Sequence, residues 1–172
     1  MVVSIDPVLI RQERIRFDVS GLAWGWRAGL VDDRQAIAVA ASEVELGNSD
    51  EPMMDLACLL ADEVWQVPDI LGPIADQVAE AVDGHPNDGD SQRKWSYLEM
   101  ITLHRQRDNM SDPLSEMESV YCDLGHPESI AGLVRWMPLR PGEAGGEQAI
   151  MDRWEHFLTE EKKALTPPEY PQ

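Results

Sequence analysis

Lysine is nearly missing from this chain. Lys94, Lys162 and Lys163 are the only three in 172 residues, and Lys and Arg together number 14 against 32 Asp and Glu, a net charge of −18. A surface of that sign repels phosphate backbones and anionic lipid, so nucleic acid and membrane are both excluded as direct partners. Long apolar runs are missing too, and none approaches the roughly 20 residues that cross a bilayer. The first 17 residues are broken by Asp6, Pro7, Arg11, Glu13, Arg14 and Arg16. They lack the apolar core and cleavage site of a secretory signal, so a cytoplasmic protein is expected. Two cysteines, Cys58 and Cys122, are too few for a disulfide framework and read as buried free thiols.

Motifs that carry chemistry are equally scarce. There is no Gly-rich phosphate loop, GxSxG elbow, CxxC pair or HExxH. The histidines His85, His104, His126 and His156 fall in different elements, so neither a metal nor any other cofactor is expected. Residues 83–90 look superficially like a calcium loop. Aligning Gly89 with its required glycine puts Gly84 at the first ligand position and Trp95 where a bidentate Glu belongs, so the match fails. Carboxylates are too abundant to mark an acid/base pair. The expectation is a protein that is not an enzyme.

What is present is helical periodicity with Pro and Gly punctuation. Asp6-Pro7 starts a helix to about Phe17, and Ser20 caps a short one ending near Gly29. Asp32 or Asp33 caps the next, stopped by Gly47. Pro52 opens a helix with Met53, Leu56, Leu60 and Val64 as its stripe, and Pro68-Asp69 starts another through Val82. After the loop at 83–90 come helices over 91–107, from Asp112-Pro113 to Gly125, from Pro127 through Arg135, and over 147–164. No strand pair is evident. The fold class is all-α: a single domain of about eight helices over residues 1–165, in antiparallel pairs, with a flexible Pro-rich tail at 166–172. Successive helix pairs are compatible with a repeat array, but no fixed-period self-similarity occurs.

The acid is concentrated. Residues 31–90 hold fifteen Asp and Glu and one base, Arg34. Glu51, Asp55 and Asp62 fall on one face of their predicted helix. Asp69, Asp76, Glu80 and Asp83 share a face of the next. Like charges at i,i+4 cost about 0.2–0.5 kcal/mol per pair, and no base is interleaved to offset this. If the two helices form a hairpin, their stripes merge into one acidic plate. Such a field favours a basic partner and speeds encounter with it. Asp55, Asp62, Glu63, Asp69, Asp76, Glu80 and Asp83, with Asp88 and Asp90 in the adjoining loop, are the candidate partner-binding residues.

The six tryptophans, Trp24, Trp26, Trp65, Trp95, Trp136 and Trp154, read as core anchors. Trp24 and Trp26 lie two apart and cannot share a helix face, so one ring is expected to be partly exposed or to cover a helix end. In Lys94-Trp95-x-Tyr97-Leu98, Trp95 and Leu98 should face the core together while Lys94 reaches an acid of the preceding region.

Several phrases occur in a telling order: Asp33-Arg34-Gln35-Ala36-Ile37, Leu56-Ala57-Cys58-Leu59-Leu60 with Asp62-Glu63, and Lys94-Trp95-Ser96-Tyr97-Leu98. Val120-Tyr121-Cys122-Asp123, His126-Pro127-Glu128 and Arg135-Trp136-Met137-Pro138 follow. Over roughly residues 15–140 the chain resembles a bacterial helical family of unknown function, some members of which are regarded as immunity proteins of secreted-toxin systems. His126 stands where that family has an aromatic residue, and the last helix lies outside the resemblance. The resemblance implies an immunity protein that binds and neutralises a cognate bacterial toxin. A toxin acting on nucleic acid has a basic cleft, and the acidic face would fill it in place of phosphate. The alternative is a non-catalytic scaffold or adaptor that takes a peptide or protein in a Trp/Met-lined groove. Neither reading fixes the oligomeric state.

Overall fold

The helix starts are set by aspartates. In the computed structural model, which describes residues 4–80 and 89–169, Asp6 accepts from the Val8 N–H at 2.9 Å and Pro7 opens α1 (Pro7–Gln12). Asp18, not Ser20, caps α2 (Val19–Arg27), taking the Gly21 N–H at 2.7 Å. Asp32 and Gln35 form a reciprocal capping box at the start of α3 (Asp33–Glu45). Asp112 takes the Ser115 N–H at 3.1 Å ahead of α7 (Pro113–Asp123). Each satisfies an amide that the first turn leaves unpaired.

The remaining helices are α4 (Glu51–Ala57), α5 (Val67–Glu80), α6 (Gly89–Gln106), α8 (Glu128–Ala131) and α9 (Glu147–Leu165), with 3-10 turns at Val64–Gln66 and Arg107–Asn109. All regular structure among the described residues is helical, in nine α-helices where about eight were expected. Three boundaries differ from expectation. The first helix stops at Gln12, because Arg14 adopts a left-handed φ of 58° and turns the chain. The helix opened at Pro52 ends at Ala57, so Leu60 lies in a turn and not on a helical stripe. The helix after Pro127 is one turn long. The expected loop at 83–90 lies outside the described residues up to Asp88, and Gly89 and Asp90 already belong to α6.

Helix α6 is the axis of the molecule. Residues 95–100 are all buried, including Ser96 and Glu99, because α2, α7, α8 and α9 pack around it. Helix α2 joins this group to the other, touching α3 and α5 as well as α6. The junction is Trp95, which is fully buried. Its ring stacks on Phe17 at 4.4 Å, and its Nε1 donates to the Gly21 carbonyl at 2.9 Å. Gly25 lies so close that a Cβ there would overlap the Trp95 ring, which is why α2 carries glycine at the crossing. Leu98 is buried beside Trp95, and Lys94 pairs with Asp90 at 2.6 Å, both as the spacing predicts.

Two expectations about side chains fail. Cys58 and Cys122 are free but exposed, because each sits at or near the end of its helix and not on the packed face. The tryptophans divide: Trp24, Trp95 and Trp154 are buried, whereas Trp65 and Trp136 are mostly exposed. Trp26 is intermediate and covers the start of α3, donating from Nε1 to Asp33 at 2.7 Å.

Candidate functional site

Residues 50–76 contain seven acids and no Lys or Arg. The fold does not set α4 against α5 as a hairpin. Helix α4 lies mainly on α3 and α5 mainly on α2, so the acids run around a helix, a turn and the start of a second helix instead of forming one plate. Asp55 is exposed on α4, Asp62 is exposed in the turn, and Asp69 is exposed in the first turn of α5, where the helix dipole favours it. None of these three takes part in an ion pair with another described residue.

The other candidates are engaged or lie elsewhere. Glu63 is half-buried and accepts from the Leu60 N–H at 2.9 Å, closing the turn. Asp76 is exposed but paired with Arg27 of α2. The face expected to lack bases therefore has one, brought from 49 positions away by the packing of α5 on α2. Asp90 lies in the first turn of α6 and holds Lys94. Glu80 ends α5, but its side chain lies outside the described residues, as do Asp83 and Asp88 entirely.

Sequence reasoning missed an apolar feature in the same segment. Leu60 is 64% exposed, Trp65 68% and Met54 40%, three of the six large apolar side chains exposed among the described residues. Met54 is on α4, Leu60 lies in the turn that follows it, and Trp65 lies in the 3-10 turn that leads into α5. Beside it a depression of about 200 Å3 is lined by Ile37, Leu59, Leu60, Val64 and Arg34. The apolar stripe of the sequence continued past Ala57, so it gave no sign that the helix ends there and turns these side chains outward.

A second cluster has the opposite character. Glu13, just past α1, is buried. Its carboxylate accepts from the Tyr97 hydroxyl at 2.6 Å, from Arg105 at 2.7 Å and from Lys162 at 3.0 Å. Burial opposes its ionisation, but the hydrogen bonds of Tyr97 and Lys162 and the charges of Lys162 and Arg105 prevail and hold its pKa below the usual carboxylate range. Burial and the same carboxylate push the Tyr97 phenol well above its ordinary value. Next to it, His104 packs edge-on against Trp154 at 5.1 Å and lies 3.8 Å from Glu155. Burial and the Arg107 charge lower its pKa, favouring the neutral ring. Together with the two hydrogen bonds from Arg93 to Glu161, at 2.7 and 2.8 Å, these contacts fasten α9 to α6 and α1. The Glu13 carboxylate is engaged by a hydroxyl and two bases, and the cluster acts as a clamp between these elements.

Among the described residues no group of three or more His, Cys, Asp and Glu is placed to hold a metal, and no helix is long and apolar enough to cross a membrane. No curated protein and no solved structure matches the chain. The sequence profile of a family described as an uncharacterized protein conserved in bacteria, DUF2247, matches residues 8–162. That span takes in α9 up to Lys162, a helix the sequence resemblance left out, and it covers both the open acidic segment and the clamp. The chain belongs to the bacterial family DUF2247.

Proposed function

We propose that this chain is a cytoplasmic, non-catalytic immunity protein that neutralises a cognate toxin by presenting its acidic segment to a basic surface. The observation that carries this reading is the set Asp55, Asp62 and Asp69: three exposed carboxylates on a stretch without Lys or Arg, unused by the fold's own ion pairs. Unpaired charge of one sign contributes nothing to folding, and a basic partner would neutralise it. A toxin whose substrate is nucleic acid has the matching cleft. Complementary charge there would act mainly on the association rate.

The test is co-expression with the C-terminal domain of a secreted protein encoded beside this gene. The wild-type chain should protect the cell. Asp62→Lys together with Asp69→Lys should slow association at least tenfold in low salt and weaken protection while the melting temperature holds. Undiminished protection and unchanged association rates would sink the acidic-segment reading.

One observation supports the scaffold alternative. A largely apolar groove of about 340 Å3 runs between α2, α5 and the end of α7, lined by Trp24, Ala28, Ala75, Val78 and Leu124 together with the charged Arg27 and Asp123; it has a Trp but no Met of the expected groove. A peptide held there by apolar contacts would bind with little dependence on salt, whereas steering by the acidic segment must weaken as salt rises.

A further inference from the structure

The turn between α4 and α5 is built to hold apolar side chains in water. Leu60 and Glu63 are tied twice, the Glu63 N–H donating to the Leu60 carbonyl and the Leu60 N–H to the Glu63 carboxylate, both at 2.9 Å. The Gln66 N–H then donates to the Glu63 carbonyl at 2.9 Å, leading into the 3-10 turn that carries Trp65. Fully buried Leu56 and Val67 fix the two ends of the segment in the core. Leu60 and Trp65 therefore stand on a braced loop, and a partner meeting them loses little conformational freedom in ordering it. An exposed aromatic and an exposed aliphatic side chain five positions apart on one braced segment, with carboxylates before, between and after them in the chain, are the composition of an interface centre with a polar rim.

We infer that Leu60 and Trp65 form the anchoring centre of a protein-docking surface, and that its occupant is a basic protein segment presenting an apolar side chain flanked by Lys or Arg. The charge around the turn selects the occupant. Asp55, Asp62 and Asp69 lie before, within and after it, all exposed, and Arg34 on the α3 wall of the depression is the single base in its lining. The apolar group would enter beside Leu60 while the flanking bases meet the carboxylates. This rests on the toxin-neutralising reading for its setting, and on the exposed Leu60 and Trp65 for its chemistry.

The test needs no toxin. The folded protein is titrated with a synthetic amphipathic Lys/Leu helix, with oligolysine of equal charge, and with a Glu/Leu helix bearing the same apolar face. The Trp65 indole N–H resonance, assigned by its loss in Trp65→Phe, is followed by NMR. The Lys/Leu helix should shift that resonance saturably and bind about tenfold or more tighter than oligolysine. Trp65→Ala should abolish that advantage and leave oligolysine binding unchanged, while Trp136→Ala, at the other exposed indole, should change neither. An unmoved Trp65 resonance, or equal binding by Trp65→Ala, would overturn the anchor. Binding of the Glu/Leu helix as tight as that of the Lys/Leu helix would overturn the basic occupant. Failure of toxin protection alongside intact Lys/Leu binding at Trp65 would count against the immunity reading and leave the docking surface standing.

Discussion

The two ends of the charge distribution are handled in opposite ways. Around α6, charge is enclosed and consumed: one buried carboxylate, Glu13, takes three donors from two other helices. Around the α4–α5 turn, charge is displayed, and Asp55, Asp62 and Asp69 have no described counter-ion. Tryptophan follows the same division. Trp95 is sealed between α2 and α6, and Trp65 stands in solvent. The same residue types thus serve cohesion on one side and exposure on the other. Composition alone therefore overstates how much of this acid is free and understates how many of these rings are exposed.

The paired substitutions Trp95→Ala and Trp65→Ala sharpen the contrast most. Loss of the buried ring should cost about 3–5 kcal/mol by denaturant unfolding, whereas the exposed one should stay within about 0.5 kcal/mol. Comparable costs at both positions would erase the distinction. Next in size is Glu13→Ala, which strands the Tyr97 hydroxyl and leaves Lys162 and Arg105 without their anion. A loss of about 2–3 kcal/mol is expected, less than for a wholly enclosed pair because both bases reach water. Under hydrogen exchange α9 should lose protection before α3.

Acid should produce a smaller, graded effect on the same side. Both His104 and Glu13 have folded pKa values below their unfolded ones, so the folded state binds fewer protons than the unfolded state. Stability is therefore complete above the unfolded values and falls as pH drops. The first loss begins near 6.5, the ordinary value for His104, and the second near 4.5, that for Glu13. Glu118, held down by its hydrogen bond from Arg135, adds to the lower step. Melting temperatures measured from pH 8 to 3 should decline in that order, and His104→Gln should remove the upper step alone. A decline unaffected by that substitution would mean that the clamp does not carry the acid response.

Legibility follows the range of the interactions. Helix starts fixed by a neighbouring Asp and Pro could be read directly, as at Asp6-Pro7 and Asp112-Pro113, and to within one residue at Asp32, because cap and amide lie within three residues. The burial of Trp95 with Leu98 was also legible, from spacing alone. The end of α4 was not. Met53, Leu56, Leu60 and Val64 continue a helical stripe, and only the packing of α5 on α2 draws the chain out of it. Glu13 looked like one more polar residue in an Arg-rich stretch, since its partners come from positions 97, 105 and 162. Arg27 was hidden as the partner of Asp76 for the same reason. Of the nine candidate acids, the fold leaves Asp55, Asp62 and Asp69 exposed and unpaired among the described residues. Charge density marked the candidate region, and only the packing revealed which members were spoken for.

The crossing of α2 and α6 has an evolutionary corollary. Gly25 has room for no side chain because the Trp95 ring fills that space. Neither position can drift alone: a methyl group at 25 collides with the indole, and a smaller residue at 95 opens a cavity above a glycine that no longer has a reason to be there. A viable departure from this pair has to pass through both substitutions, in either order by way of a poorly folding intermediate. Divergent relatives should therefore inherit Gly25 and Trp95 as one unit or replace them as one.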